Sequence, residues 1–354
     1  MAGALSGLLV ADFGQFIAGP LAAVMLADQG AEVVHVDPPG GPRWKTPADA
    51  FYNRGKQRLV LDLKTAPGRA GALELAGAAD VVIENFRPGV MDRLGLGASA
   101  MTDAHPKLIY CSIPGFGAED RRAGMRAWEG VIDAATGNCQ PRVGEEPPGW
   151  DWSRPTYSAL PLASHFGAYL AATSIVMAAI ARHRSGRGQG IEIPLFDAMF
   201  TLIGPAGAYA EGRGLRRPAP IHGRGAGCYR CGDGRFVQFD TSSARHLTWF
   251  AREAGITGRF DPELLDLERN ADPRVNERLH AALAELFLTR PGWEWEQIGN
   301  RAGAAMGLVR TGSEWLHTDH ARAIGAAVEL DDPELGPTLM PGMPVSLPGS
   351  GAPG

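Results

Sequence analysis

Residues 8–37 read LLVADFGQFIAGPLAAVMLADQGAEVVHVD. Leu8 to Phe13 is a short apolar run of strand length, broken at Gly14. A helical stretch runs from Pro20 to about Gln29, with proline in the first turn, where its missing N–H does no harm. Gly30 ends it, and Ala31 to Val36 is a second strand. Working outward, Arg58 to Leu63, Asp80 to Asn85 and Lys107 to Ile113 are further strands, with helical segments Pro67 to Ala76 and Gly89 to Leu94 between them. Strand and helix in alternation predict an α/β fold, a Rossmann-like parallel sheet covered by helices.

Beyond this, Gly144 to Pro155 is a loop rich in Pro, Gly and Trp. Two apolar helices follow, Phe166 to Arg184 and Pro194 to Glu211. Gly212 to Gly227 is dense in Gly, Pro and Arg and is expected to be a linker. Then come a hairpin in CYRCGDGRFVQF and helices at about Ser243–Ala254, Val275–Leu288 and Pro291–Asn300. The expected organisation is a large domain over 1–211, a smaller α+β domain over 212–330, and a last stretch 331–354 without periodicity.

Of 354 residues, 45% are hydrophobic and 21% charged, the balance of a globular chain, and the net charge is −5 with no run of one sign. That speaks against a nucleic-acid partner or a membrane surface. The N-terminus has no basic segment before its apolar run, and the Phe166–Ala181 stretch is shorter than the roughly 20 residues a membrane span needs. With four cysteines, these features lead us to expect a cytoplasmic protein without disulfides. Cys228-Tyr-Arg-Cys231 is a lone C-x-x-C with only His222 nearby, so no metal site is expected. The turn Gly14 to Pro20 lies after a strand and before a helix, where open α/β sheets bind ligands, but it lacks a GxGxxG fingerprint.

Several segments together resemble the family III CoA-transferases, the CaiB/BaiF family of formyl-CoA transferase and carnitine CoA-transferase. They are VADFGQFIAGPLAAVMLADQGAEVVHVDPPGG, YNRGKQRLVLDLKTAPGR, ADVVIENFRPGVMDRLGLG, HPKLIYCSIPGFG, RHRSGRGQGIEIPLFDA and, later, WEWEQIGNRAGAAMGLVRTGSEWL. Their order and spacing match the family over nearly the whole chain. The resemblance implies a Rossmann-like large domain plus a small domain, an interlocked homodimer, acyl-CoA and a carboxylic acid as substrates, and no tightly bound cofactor. Family members usually continue past the position of Gly354. A shortened return segment, or one half of a two-unit protein pairing as a heteromer with a related transferase unit, is therefore also expected.

Coenzyme A demands dispersed cations, backbone donors and apolar walls. By resemblance Gln15, Phe16 and Ile17 line the thioester end, although the family often has a polar residue at Ile17. Lys56 falls where the family has a lysine near the CoA phosphates, and Asn85, Phe86 and Arg93 match residues along the nucleotide and pantetheine. The plainer alternative is that Asn85 and Arg93 cap and solvate helix ends.

In the family an aspartate attacks the acyl-CoA carbonyl, giving in turn an anhydride, an enzyme–CoA thioester and a second anhydride. A carboxylate suits this because its acyl anhydride stays activated for return. Counting back from RHRSGRGQ places Ser164 at that position. A serine would hold the acyl group as an ordinary ester, from which regenerating a thioester is uphill. Ser164 also fits a helix N-cap. His165, its neighbour, is a poor base for it, because adjacent residues do not face each other. Glu129 matches a position where the family carries Glu or Asp near the thioester, and Asp133 lies one turn on. The related α-methylacyl-CoA racemases carry a His where Trp128 stands here and a second base at the position of Ser164, so racemisation lacks both groups. Trp150 and Trp152 are candidate walls for the acyl group, and Gly223, Gly225 and Gly227 loosely match a shielding glycine loop.

Overall fold

The computed structural model describes residues 3–139, 155, 157, 159–204, 225–240, 244–258, 260–265, 272–342 and 345. They fall into two compact units, one drawn from within 1–141, 151–214 and 316–354, the other from within 142–150 and 215–315.

The first unit opens with β1 (Leu9–Asp12), α1 (Ala18–Ala27), β2 (Glu32–Asp37), α2 (Pro47–Asn53), β3 (Gln57–Val60) and α3 (Ala66–Ala78). It continues with β4 (Val81–Glu84), α4 (Val90–Arg93), α5 (Ala98–Ala104), β5 (Ile109–Ser112), α6 (Glu129–Thr136), α7 (Leu162–Ser185), β6 (Gly190–Glu192) and α8 (Leu195–Ile203). The six strands form one parallel sheet in the order β3-β2-β1-β4-β5-β6. This is the doubly wound order that reverses between β1 and β4.

Alternate strand residues feed two apolar layers, as the period of two requires. Val10, Val33, Val81, Ile83, Ile109 and Cys111 join the core under α1, α7 and α8. Ala11, Val36, Val82 and Tyr110 join the other, under α3, α4 and α5. Small residues bring the helices close: a Cβ on Gly167 of α7 would lie 2.7 Å from Leu195 Cδ2 of α8. α7 is long and apolar enough to cross a membrane, alone in this among the described residues. Its Ala163, Ala168, Ala171, Ile175 and Ala178 nevertheless lie in the protein core. It ends at Gly186, whose φ of 72° is the left-handed cap that glycine adopts most readily.

The second unit holds β7 (Gly227–Arg230), β8 (Phe236–Asp240), α9 (Ala244–Glu253), α10 (Pro273–Phe287), α11 (Gly292–Ala302) and β9 (Ala305–Leu308). Its antiparallel sheet β7-β8-β9 packs Tyr229, Val237 and Phe239 against Phe250, Phe287 and Trp295.

Two details differ from expectation. Helix α8 ends at Ile203, before Gly204, and residues 205–224, which hold most of the expected linker, lie outside the described residues, while Gly227 opens β7. The stretch after Asp331 is not featureless: β10 (Ala327–Asp332) and β11 (Gly336–Pro341) pair antiparallel, turning near Gly336 at φ 71°. The turn-forming Gly and Pro masked a short strand whose backbone bonds come from its partner. Cys228 lies in β7 and donates to Gln238 Oε1 at 2.9 Å, and Cys231 is buried just past the end of that strand.

Candidate functional site

The site grows from the turn after β1. Gly14 and Gly19 touch backbone to backbone, each Cα being 2.8 Å from where the other's Cβ would stand, so no side chain fits at either. Phe16 lies at φ 67°, the left-handed region, which is strained for an aromatic residue and typical of functional turns. Asn85, just past β4, fixes this turn from across the switch point. Gln15 N–H donates to Asn85 Oδ1 at 2.8 Å, and Asn85 Nδ2 donates back to the Gln15 carbonyl at 2.8 Å.

Consecutive residues of the turn face two regions. Gln15 lines a cleft of about 750 Å³ at the carboxyl ends of the strands, together with Phe13, the Pro38–Arg43 loop after β2, Leu61–Lys64 after β3, and Phe86 and Arg93. Three exposed cations stand on its walls: Arg43, Lys64 and Arg93. Phe16 instead meets Trp128 edge-on at 5.0 Å and Trp44 at 6.4 Å, and Trp44 stacks on Tyr52 at 6.2 Å. Ile17 caps the start of α1 and packs against the core.

Behind these rings lie the polar groups. His165 Nδ1 is 2.8 Å from the Pro161 carbonyl. That oxygen only accepts, so Nδ1 carries the proton and Nε2 accepts from the Tyr52 hydroxyl at 3.3 Å. Burial and the nearby charge of Glu129 push the Tyr52 phenol upward. Glu129 opens α6, and its Oε1 accepts from Ser164 N–H at 2.9 Å. Its Oε2 is buried and, among the described residues, has no hydrogen-bond partner. Asp133, one turn on, is buried with Oδ1 on Asn138 Nδ2 at 2.9 Å.

Two expectations are corrected. Lys56 does not face a ligand: its side chain is 0% exposed, and its ammonium donates to Asp12 Oδ2 (2.8 Å), the Pro20 carbonyl (2.9 Å) and Asn53 Oδ1 (3.0 Å). All three of its protons are thus engaged. Burial opposes charge on Asp12, but Lys56 and His35, whose Nδ1 lies 2.8 Å away, hold its carboxyl far below the usual range. Ser164 is not an N-cap: α7 begins at Leu162 after Pro161, and the cap for Ser164 N–H comes from Glu129 on another helix. Trp150, Trp152 and Gly223 lie outside the described residues, and Gly225 packs against Leu279 and Leu283 of α10. Arg43, Lys64, Trp44 and Tyr52 escaped the sequence reading, though Arg43 and Lys64 stand just past strand ends, where the sheet rule points.

A Rossmann-order sheet with a cationic cleft at its strand ends narrows the field, and comparison with known proteins decides it. The sequence matches the CoA-transferase family III model over residues 5–353. The chain belongs to CoA-transferase family III. It is 33% identical to the CoA-transferase/lyase DddD of Marinomonas sp. over 96% of its own length but 45% of that protein's. It is 30% identical to the acetyl-CoA:oxalate CoA-transferase of Acetobacter aceti, covering 98% of this chain and 90% of that one. Among solved structures, a CAIB/BAIF family protein from Brucella suis superposes with a TM-score of 0.81 at 26% identity, covering 99% and 94% of the two chains. In this member of the family Ser164 and Glu129 meet through the 2.9 Å hydrogen bond between α6 and the start of α7.

Proposed function

We propose that this chain is an acyl-CoA:carboxylate CoA-transferase, binding CoA in the cleft beside Gln15 and carrying out acyl exchange at Glu129. The observation that carries this is the division of labour in one turn: Gln15 lines a cleft with three exposed cations, while Phe16 meets the ring of Trp128, the residue before Glu129, and that of Trp44, which stacks on Tyr52. The cations suit the phosphates of CoA, and Phe13, Leu61 and Phe86 suit its apolar arm. The aromatic wall suits the acyl group. An exposed apolar face on α7 and α8, with Met177, Ile180, Phe200 and Leu202, supports association as a homodimer or with a related unit.

A second reading is a CoA-binding half that pairs with an active unit. Ser164 in place of the expected nucleophile favours it, as does the relative more than twice as long. Mass-spectrometric product analysis of the protein and its Ser164→Asp variant, given acetyl-CoA or succinyl-CoA with free dicarboxylic acids, separates the two. Exchange by the natural chain supports the transferase. Exchange by the variant alone supports the binding half. Release of free CoA without an acceptor acid, in both, overturns transfer in favour of hydrolysis.

A further inference from the structure

The carboxylate missing at residue 164 has a replacement a hydrogen bond away. We infer that Glu129 is itself the acyl-accepting nucleophile, delivered from α6 to the start of α7. This rests on the CoA-transfer reading above.

Position is the first argument. Glu129 Oε1 sits 2.9 Å from the backbone nitrogen of Ser164, so the carboxylate occupies the neighbourhood that a carboxylate side chain at 164 would fill. The bond to a free N–H in the first turn of a 24-residue helix both orients the group and favours its negative charge. The second argument is the spare oxygen. Oε2 is buried and, among the described residues, accepts no hydrogen bond, so no protein donor there competes for its lone pairs. A buried acceptor left unsatisfied costs about 1–3 kcal/mol and calls for a functional explanation. Its seclusion from water also protects an anhydride from hydrolysis. Trp128, the residue before Glu129, is 59% exposed with its ring edge-on to Phe16, and on this assignment the acyl group enters beside it. The third argument is chemical: an acyl-glutamyl anhydride remains activated toward a thiolate, whereas an ester on Ser164 does not.

The steps balance without an added reagent. Oε2 attacks the thioester carbonyl, the C–S bond breaks, and CoA leaves as the thiolate, giving a mixed anhydride. The thiolate attacks Cδ of Glu129, the donor acid departs as a carboxylate, and a γ-glutamyl CoA thioester remains. The acceptor carboxylate attacks Cδ and expels the thiolate to form a second anhydride. The thiolate then attacks the acceptor's acyl carbon, forming the new thioester and returning the Glu129 carboxylate. No proton or electron is gained or lost.

The test is chemical trapping. The full chain is incubated with acetyl-CoA or succinyl-CoA, quenched with hydroxylamine, and digested with trypsin. A hydroxamate is expected on Glu129 within the peptide from Ala127 to Arg142, distinguished by fragmentation from Asp133. Glu129→Gln, which can still accept from Ser164 N–H, is expected to lose both the adduct and at least about a thousandfold of exchange. CoA exchange accompanied by an adduct elsewhere, including an acyl ester on Ser164, overturns the assignment and leaves the transferase reading intact. Exchange retained by Glu129→Gln does the same. Absence of exchange and adduct alike in the natural chain overturns both.

Discussion

Glu84 ends β4 next to Asn85, and its proton controls how the strand end is held. Its Oε1 shares a hydrogen bond with Ser112 Oγ on β5, and its Oε2 accepts from Phe86 N–H at 2.7 Å. It is 5% exposed, and burial pushes its carboxyl up to about 7, with Asp92 and Glu192 adding to the rise against the pull of Ser112 and Phe86. Tyr110 and Cys111 beside it are pushed upward too and stay neutral. Because the folded value lies above the ordinary 4.5, the folded state holds the proton more tightly. The resulting stability is complete below about pH 4.5 and is lost as the pH rises through about 7. At about 1.4 kcal/mol per pH unit, that interval amounts to about 3 kcal/mol. Glu84→Gln mimics the protonated acid: its amide oxygen can accept from Phe86 and its NH2 can donate to Ser112. Urea unfolding of the full chain between about pH 4 and pH 8 is expected to give equal stability at the acid end. At the alkaline end the variant should be about 3 kcal/mol more stable. Parallel pH profiles for the two proteins would refute the reasoning.

Other expectations concern the turn and the cleft. Lys56→Met leaves Asp12 buried with only His35 for a counter-charge and should cost about 3–5 kcal/mol in urea unfolding, with little change in CoA affinity where the protein is folded. Arg93→Ala and Lys64→Ala should each weaken CoA binding about tenfold in calorimetry at low salt, with a smaller effect at high salt. Gly19→Ala places a methyl 2.8 Å from Gly14 Cα and should destabilise by about 1–3 kcal/mol while lowering CoA affinity, read by thermal unfolding and calorimetry.

The doubly wound sheet was legible because its strands carry apolar residues on both faces and its first unit is punctuated by Gly14 and Gly30. Helix α2 was missed because seven residues between a Pro/Gly loop and Gly55 offer no clear period. Lys56 was misplaced because sequence shows a charge but not its destination. The correcting signal was present, since Asp12 interrupts an apolar strand and a buried carboxylate demands a cation. Glu129 was singled out by family resemblance alone. That it reaches Ser164 N–H depends on α6 meeting the start of α7, a packing contact between segments 35 residues apart.

The paired amide bonds between Gln15 and Asn85 join strand ends 70 residues apart in the sequence. Neither residue needs a ligand to take up its shape, so on the CoA-binding reading proposed above an arriving nucleotide meets a turn that is already held. Ordering entropy that many phosphate loops lose at binding is here lost beforehand, which leaves more of the contact energy to appear as affinity. The same pairing makes the turn intolerant: a guest that needs it to widen must break two bonds at once.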